Sequence, residues 1–309
     1  MNNHLSAQPQ YIARGVLLII AAALTISIQD VIFKLFSSEL TLWPIFALRG
    51  ILGVPMLLVV GWSGGLSLND LRSALSGWPI LRAVCITMTF LAFYAAIPFL
   101  SLSTVGAANY IAPIFVTLLS AYVIKERVGR LGWFGVLLGF AGVVVLLQPG
   151  TDAFSPWALL PVVGAAFYAV AHAITRTKCR NVPVVVLSLS QNLAMMLAGF
   201  TISGLLFWLR PTGDLVEAFP YIFDVWSDVD IKDWLVLALL AVLAIVIGMM
   251  LAGAYQAAPP SIVSTFEYSY LAFVAAWDVL IFGIAPTLTS VAGMVMIVVA
   301  GLMVLPRKS

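Results

Sequence analysis

Among the ionisable residues inside long apolar runs, six stand out: Asp30, Lys34, Arg49, His172, Glu267 and Asp278. A charge at the centre of a membrane-spanning helix costs roughly 2.5–3.5 kcal/mol on insertion scales, so each is a candidate for work on a ligand or an ion. Glu267 is the acid furthest from any polar run on its helix. A carboxylate there can meet a cationic group, carry a proton, or tie neighbouring helices together. Asp30 and Lys34 stand four apart on one helix face, and Arg49 lies at similar depth on the next run. The three form either an outer ion-pair cluster or a gate. His172 is the one histidine in an apolar run. It serves as a helix contact or, because histidine titrates near pH ~6.5, in proton coupling. Asp278 lies about three turns beyond Glu267 and is expected to reach the outer surface.

Aromatic residues gather near these groups: Phe90, Phe93, Tyr94, Tyr110, Phe167, Tyr168, Tyr268 and Tyr270. Such rings either pack or line a cavity for a flat or cationic ligand through stacking and cation–π contact. The expected substrate-binding set is Glu267, Asn109, Tyr94, Phe90, Tyr110, Phe167, Tyr270 and Gln191. The expected coupling or gating set is Asp30, Lys34, Arg49 and His172. The sequence holds no HExxH and no P-loop, so neither metalloprotease nor ATP-driven chemistry is indicated, and no cofactor or metal is expected.

The elements that position these residues are helices in lipid. The 309-residue chain is 62% hydrophobic and 9% charged, too few charges to cover a soluble surface, for which about 25% is usual. A net charge of +2 gives no reason to expect nucleic acid. Cys85 lies in an apolar run and Cys179 beside a basic loop, which suits neither a disulfide framework nor a metal site. The first apolar run is read as a retained helix. Ten runs are long enough to span: 13–36, 43–62, 79–98, 102–123, 131–148, 157–175, 184–208, 233–257, 261–282 and 288–305. Pro113 is expected to bend the fourth, and Gly135-x-x-x-Gly139 to let the fifth approach a neighbour closely.

With the N-terminus inside, the inner loops carry Arg14, Arg72, Lys125, Arg127, Arg130, Arg176, Lys178, Arg180, Arg307 and Lys308, and the outer loops only Arg210 and Lys232. That asymmetry places both termini in the cytoplasm and the acidic loop 209–232 outside. The run 103–147 returns at 261–305 without a gap: Ser103 falls on Ser261, Asn109 on Glu267, Tyr110 on Tyr268, Phe115 on Phe273 and Gly135 on Gly293. At an earlier offset Asp30 falls on His172 and Arg49 on Gln191. The expected organisation is a first five-helix repeat over 1–150 and a second, inverted one over 151–309, since five is odd.

Phe93-Tyr94-Ala95-Ala96, then Leu102-Ser103-Thr104-Val105-Gly106-Ala107-Ala108, Ala112-Pro113-Ile114-Phe115 and Lys125-Glu126-Arg127 with Gly135 and Gly142 resemble the EamA-type members of the drug/metabolite transporter superfamily. The second copy offers Glu267-Tyr268 and Phe282-Gly283 with Pro286; the glutamate that members often carry after Phe-Gly is replaced by Ile284 and Ala285. Glu267-Tyr268 is similar to the subgroup of riboflavin and S-adenosylmethionine uptake carriers. The resemblance implies an all-α integral membrane protein of ten helices in a bacterial inner membrane. It implies a transporter of a small polar organic metabolite by alternating access; the acids and aromatic rings favour a zwitterion or an organic cation, and the lack of a P-loop leaves proton coupling or exchange to drive it. An intramembrane enzyme or a passive channel using the same buried acids is the alternative. Expected partners are the metabolite, membrane lipid and protons, with a homodimer left open. Reporter fusions at Ser309 and near Asp224 should report opposite sides of the membrane; the same side for both would overturn the topology.

Overall fold

The computed structural model describes residues 9–36, 41–100, 105, 108–109, 111–123, 130–147, 155–213, 216–217, 219–223, 226, 229–283, 285 and 287–304. Regular structure among them is helical throughout. The basic turn 125–129, Tyr110, Ile284, Pro286 and both termini lie outside the described residues.

The helices run α1 (Pro9–Phe36), α2 (Leu42–Ser63), α3 (Leu68–Arg72), α4 (Gly77–Ala96), α5 (Ala112–Tyr122), α6 (Arg130–Leu147), α7 (Leu159–Thr177), α8 (Val184–Leu209), α9 (Pro220–Phe223), α10 (Ile231–Ala257), α11 (Pro260–Glu267), α12 (Ser269–Leu280) and α13 (Leu288–Val304). Among the described residues six apolar helices are long enough to cross a membrane: Tyr11–Leu35, Leu42–Ser63, Gly77–Ala96, Pro156–Thr177, Val184–Leu209 and Ile231–Ala257. Shorter apolar helices include Trp133–Val145 and Leu288–Ala300. The outward surface is apolar, with Leu17, Val59, Leu137, Leu235 and Leu288 all exposed. Water would penalise that surface and hydrocarbon does not, so the chain is a multi-pass membrane protein.

Polar caps mark where helices leave the apolar stratum. Asp230 accepts from the Lys232 and Asp233 amides at 2.7 and 3.0 Å, and the Asp233 carboxylate accepts from the Asp230 amide at 2.9 Å. This capping box satisfies first-turn donors of α10 that lipid could not. Two acids of loop 209–232 and its following turn therefore have a structural use. Pro113 falls in the first turn of α5, where its missing N–H costs no helical bond, so it starts a helix instead of bending one. The run 261–282 is likewise two helices, α11 and α12, separated at Tyr268. In the first half Asn109 is helical, Ile111 is in a turn and α5 starts at Ala112.

The most extensively packed helix pairs all join 1–150 to 151–309: α6 with α13, α2 with α8, α4 with α7 and with α8, and α1 with α10. The two halves interleave around one core that includes Phe33, Phe46, Tyr94, Leu237 and Tyr270. Small residues set the closest approaches. A Cβ added to Gly199 on α8 would lie 2.5 Å from the Ala47 amide nitrogen and 2.8 Å from the Trp43 carbonyl oxygen on α2. Gly139 sits where a Cβ would meet Ile114 at 3.1 Å and Ala300 at 3.3 Å, as the small-residue spacing on α6 anticipates.

Backbone is the obstacle at Gly199, so Gly199→Leu should cost about 1–3 kcal/mol or more and lower the melting temperature clearly. Gly204→Leu, one turn and a residue further on, meets nothing within 4 Å and should melt like the parent. Thermal unfolding in detergent checks both, and equal melting of the two variants would sink the close-packing account.

Candidate functional site

The helix breaks bring polar groups to the middle of the bundle. Glu267 ends α11 and is 7% exposed; its Oε1 accepts hydrogen bonds from the Tyr168 and Tyr255 hydroxyls, each at 2.7 Å. Tyr168 comes from α7 and Tyr255 from α10, so three helices converge on one carboxylate oxygen. His172, one turn beyond Tyr168, stacks on the Tyr255 ring with centroids 3.9 Å apart and lies against Tyr168 at 4.1 Å. It is wholly buried, and neither ring nitrogen has a hydrogen-bond partner among the described residues.

A second carboxylate faces the same space. Asp30 on α1 is buried and accepts from the Tyr270 hydroxyl of α12 at 2.7 Å. The same seam is held by the Trp277 indole, which donates to Ser27 Oγ at 3.0 Å. Lys34 places its ammonium 4.4 Å from the Phe282 ring centre. Tyr94 stacks between Phe33 and Phe90, with centroids 4.1 and 5.7 Å away, and its hydroxyl accepts from Gln29 Nε2 at 2.8 Å.

Ile19, Ala23, Ile26, Asp30, Thr89, Phe90, Phe93, Tyr94, Asn109, Ala112, Tyr168, Leu251, Glu267 and Tyr270 line a cavity of about 80 Å³. Among its described residues the wall holds two acids and no basic side chain, an arrangement that in ionised form favours a cationic group. Asn109 faces it with an Oδ1 that no described donor reaches. The volume suits a few waters and falls short of the roughly 300–1,000 Å³ of an organic-ligand site, so a metabolite requires the walls to part.

Of the expected binding residues, Glu267, Asn109, Tyr94, Phe90 and Tyr270 meet in this wall. Tyr110 lies outside the described residues. Phe167 faces outward, 39% exposed, and its neighbour Tyr168 takes the inward position because adjacent helix residues diverge by about 100°. Gln191 is buried between α8 and α10, away from the cavity wall. Of the gating set, Asp30 lines the cavity, and His172 stands behind Tyr168 and Tyr255. Arg49 is 2% exposed beside Phe46, with Nη2 donating to Met195 Sδ at 3.3 Å. Asp278, expected to reach the surface, is instead 3% exposed, because α12 packs that face against α1.

Sequence reasoning passes over three participants. Tyr255 and Gln29 give no signal beyond a polar group in an apolar run. Arg82 does give one, a charge inside the run 79–98. It is 1% exposed, donating from Nε to Thr175 Oγ1 at 2.8 Å and from Nη1 to the Leu187 carbonyl at 3.4 Å.

The model of the EamA-like transporter family matches residues 13–148. Over residues 13–148 the chain is similar to that family. That match agrees with the likeness to drug/metabolite transporters carried by the sequence motifs. Full-length similarity points the same way. The chain is 24% identical over 293 residues to the pseudopaline exporter of Pseudomonas aeruginosa, covering 93% of this chain and 94% of that protein. It is 28% identical over 225 residues to a riboflavin transporter of Vibrio cholerae, covering 71% and 67%. A solved crystal structure superposes with a TM-score of 0.70 at 19% identity over 94% of this chain and 96% of that one, a likeness of fold alone. The printed names of these relatives describe transporters.

Tyr270→Phe removes a donor from a buried carboxylate and should cost about 1–3 kcal/mol, whereas adding Asp30→Asn should restore part of it. A double-mutant cycle read by thermal unfolding checks this. Strict additivity would mean that the two side chains do not act as a pair.

Proposed function

We propose that the protein is a secondary active transporter that moves a small polar organic metabolite, a zwitterion or organic cation, by alternating access. The observation that carries this reading is the shared cavity. Helices from both halves wall it, two carboxylates charge it, and aromatic rings offer stacking surface. A group bound between Asp30 and Glu267 would replace the Tyr270, Tyr168 and Tyr255 hydroxyls or add to them. Coupling to protons, or exchange of one metabolite for another, would supply the driving force.

The architecture we propose is ten spans in two inverted five-helix repeats, 1–150 and 151–309. Pairing of the helices supports it. If α1, α2, α4, α5 and α6 correspond in order to α7, α8, α10, α11 with α12, and α13, the packed pair α1–α10 maps onto α7–α4. Likewise α2–α10 maps onto α8–α4 and α1–α12 onto α7–α5, while α2–α8 and α6–α13 map onto themselves. Each of these pairs packs. Five spans per half then invert the second repeat. A bacterial inner membrane with both termini cytoplasmic is the location we propose, from the inner-loop charge.

Glu267 is the residue to test. In Glu267→Gln the amide oxygen can still accept from Tyr168 and Tyr255, so the fold should survive while the charge is lost. If the carboxylate binds a cationic group, affinity should fall tenfold or more, the cost of about 1.4 kcal/mol. If it carries a proton, exchange should persist while pH-driven accumulation disappears. Uptake into liposomes with and without a pH gradient, normalised to folded protein, reads both. Wild-type uptake with wild-type gradient dependence would rule out either role.

A further inference from the structure

A second concavity lies apart from the central cavity, at the end of the bundle where α1 and α8 begin and α10 ends. Its volume is about 310 Å³, and Tyr11, Arg14, Arg180, Val184, Gly253, Gln256 and Ala257 line it. Arg14 belongs to α1, Arg180 to the turn between α7 and α8, and Gly253, Gln256 and Ala257 to the last turns of α10. Among the described residues no acid stands in the wall. Among the described residues neither Arg14 nor Arg180 has a side-chain partner, and both are exposed.

The pocket is held in shape without them. Gln256 Nε2 donates to the Cys179 and Val182 carbonyls at 2.9 and 2.7 Å, which fixes the turn that carries Arg180. Arg176 Nη1 donates to the Gln256 carbonyl at 3.1 Å. Across from it, Gly15 lets α1 meet the end of α10, where a Cβ would lie 2.8 Å from Ala258 Cβ. The floor is Gly253, beside Leu18 and Val184. The site is therefore a rigid concavity with a polar rim of two guanidinium groups and an apolar base, at the level where spanning helices emerge.

We infer that this pocket binds the headgroup of an anionic phospholipid. Two arginine forks match the oxygens of a phosphodiester, and each presents paired donors that a single lysine would not. Tyr11 adds a hydroxyl at interfacial depth. Leu18 on α1 lies against the Gly253 floor, and Leu17 and Leu235 on the same two helices are exposed to lipid, where acyl chains would lie. Basic pockets between spanning helices on the positive side of a membrane protein take such lipids. The bound lipid would join α1 of the first half to the α7–α8 turn and α10 of the second, and so would hold this end of the bundle closed. This site does not depend on the transport reading.

The test is thermal unfolding of the full chain in detergent with phosphatidylglycerol, phosphatidylcholine or inorganic phosphate at equal concentration, with native mass spectrometry counting retained lipid. Phosphatidylglycerol should raise the melting temperature of the parent by about 3 °C or more, since a ligand of the folded state stabilises it. The shift and the retained lipid should be lost in Arg14→Gln/Arg180→Gln and in Gly253→Leu, which keeps the arginines and fills the floor. Phosphatidylcholine and phosphate should give little. An equal shift with phosphatidylcholine, or one that survives in both variants, overturns the site. A full shift with phosphate alone overturns the lipid as its occupant.

Discussion

A carboxylate sealed among apolar helices must find its hydrogen-bond donors inside the bundle, because hydrocarbon offers none. Tyrosine supplies the donors to both cavity acids: two hydroxyls to Glu267 and one to Asp30. The choice of donor matters. An arginine in the same place would cancel the charge and fix the pair at the cost of desolvating both ions. A phenol satisfies the oxygen and leaves the net charge facing the cavity. Each of these bonds also joins separate helices, so the same contacts that make the acids tolerable hold the walls in place. Opening the cavity then means giving up neutral hydrogen bonds, which are modest in net free energy.

The second organising fact is that the halves do not fold apart. Their best-packed surfaces face each other, pair by pair, and glycines bring α2 and α8 to backbone contact. An interior built this way has no interface that can slide as one plane. The helix interruption at Tyr268 sits beside Glu267 and Tyr270, two of the residues that line the cavity. Change at the binding wall and change in helix direction are therefore close neighbours in the chain.

Much of this was legible in the sequence, for identifiable reasons. Apolar runs of about 20 residues read directly as helices, since length and composition suffice. Glu267, Asn109, Tyr94 and Tyr270 stood out because polar groups are scarce there, and the cavity collects them. What could not be read was direction around a helix. Phe167 and Tyr168 are adjacent and chemically alike, yet one faces out and the other in, because packing with α10 and α11 decides the rotation. Asp278 failed the same way: nearness to a helix end suggested the surface, and contact with α1 buried it. The break after Glu267 carried no proline or glycine to announce it. Tyr255 and Gln29 were hidden because one polar residue in an apolar helix says nothing of its partner.

The two buried arginines of the first half have a consequence for biogenesis. Arg49 finds its sulfur partner on Met195, and Arg82 its oxygens on Thr175 and Leu187. All three partners are translated later than the arginines that need them. A ribosome that has released residues 1–150 into the bilayer has therefore delivered two guanidinium groups before these partners exist. Until α7 and α8 emerge, those side chains must stretch to the headgroups or recruit water, which strains the nascent spans. Arrival of the second half relieves that strain by docking α8 against α2 and α7 against α4. The order of synthesis thus gives the late helices a polar incentive to assemble at their proper places, in a solvent that offers no hydrophobic one.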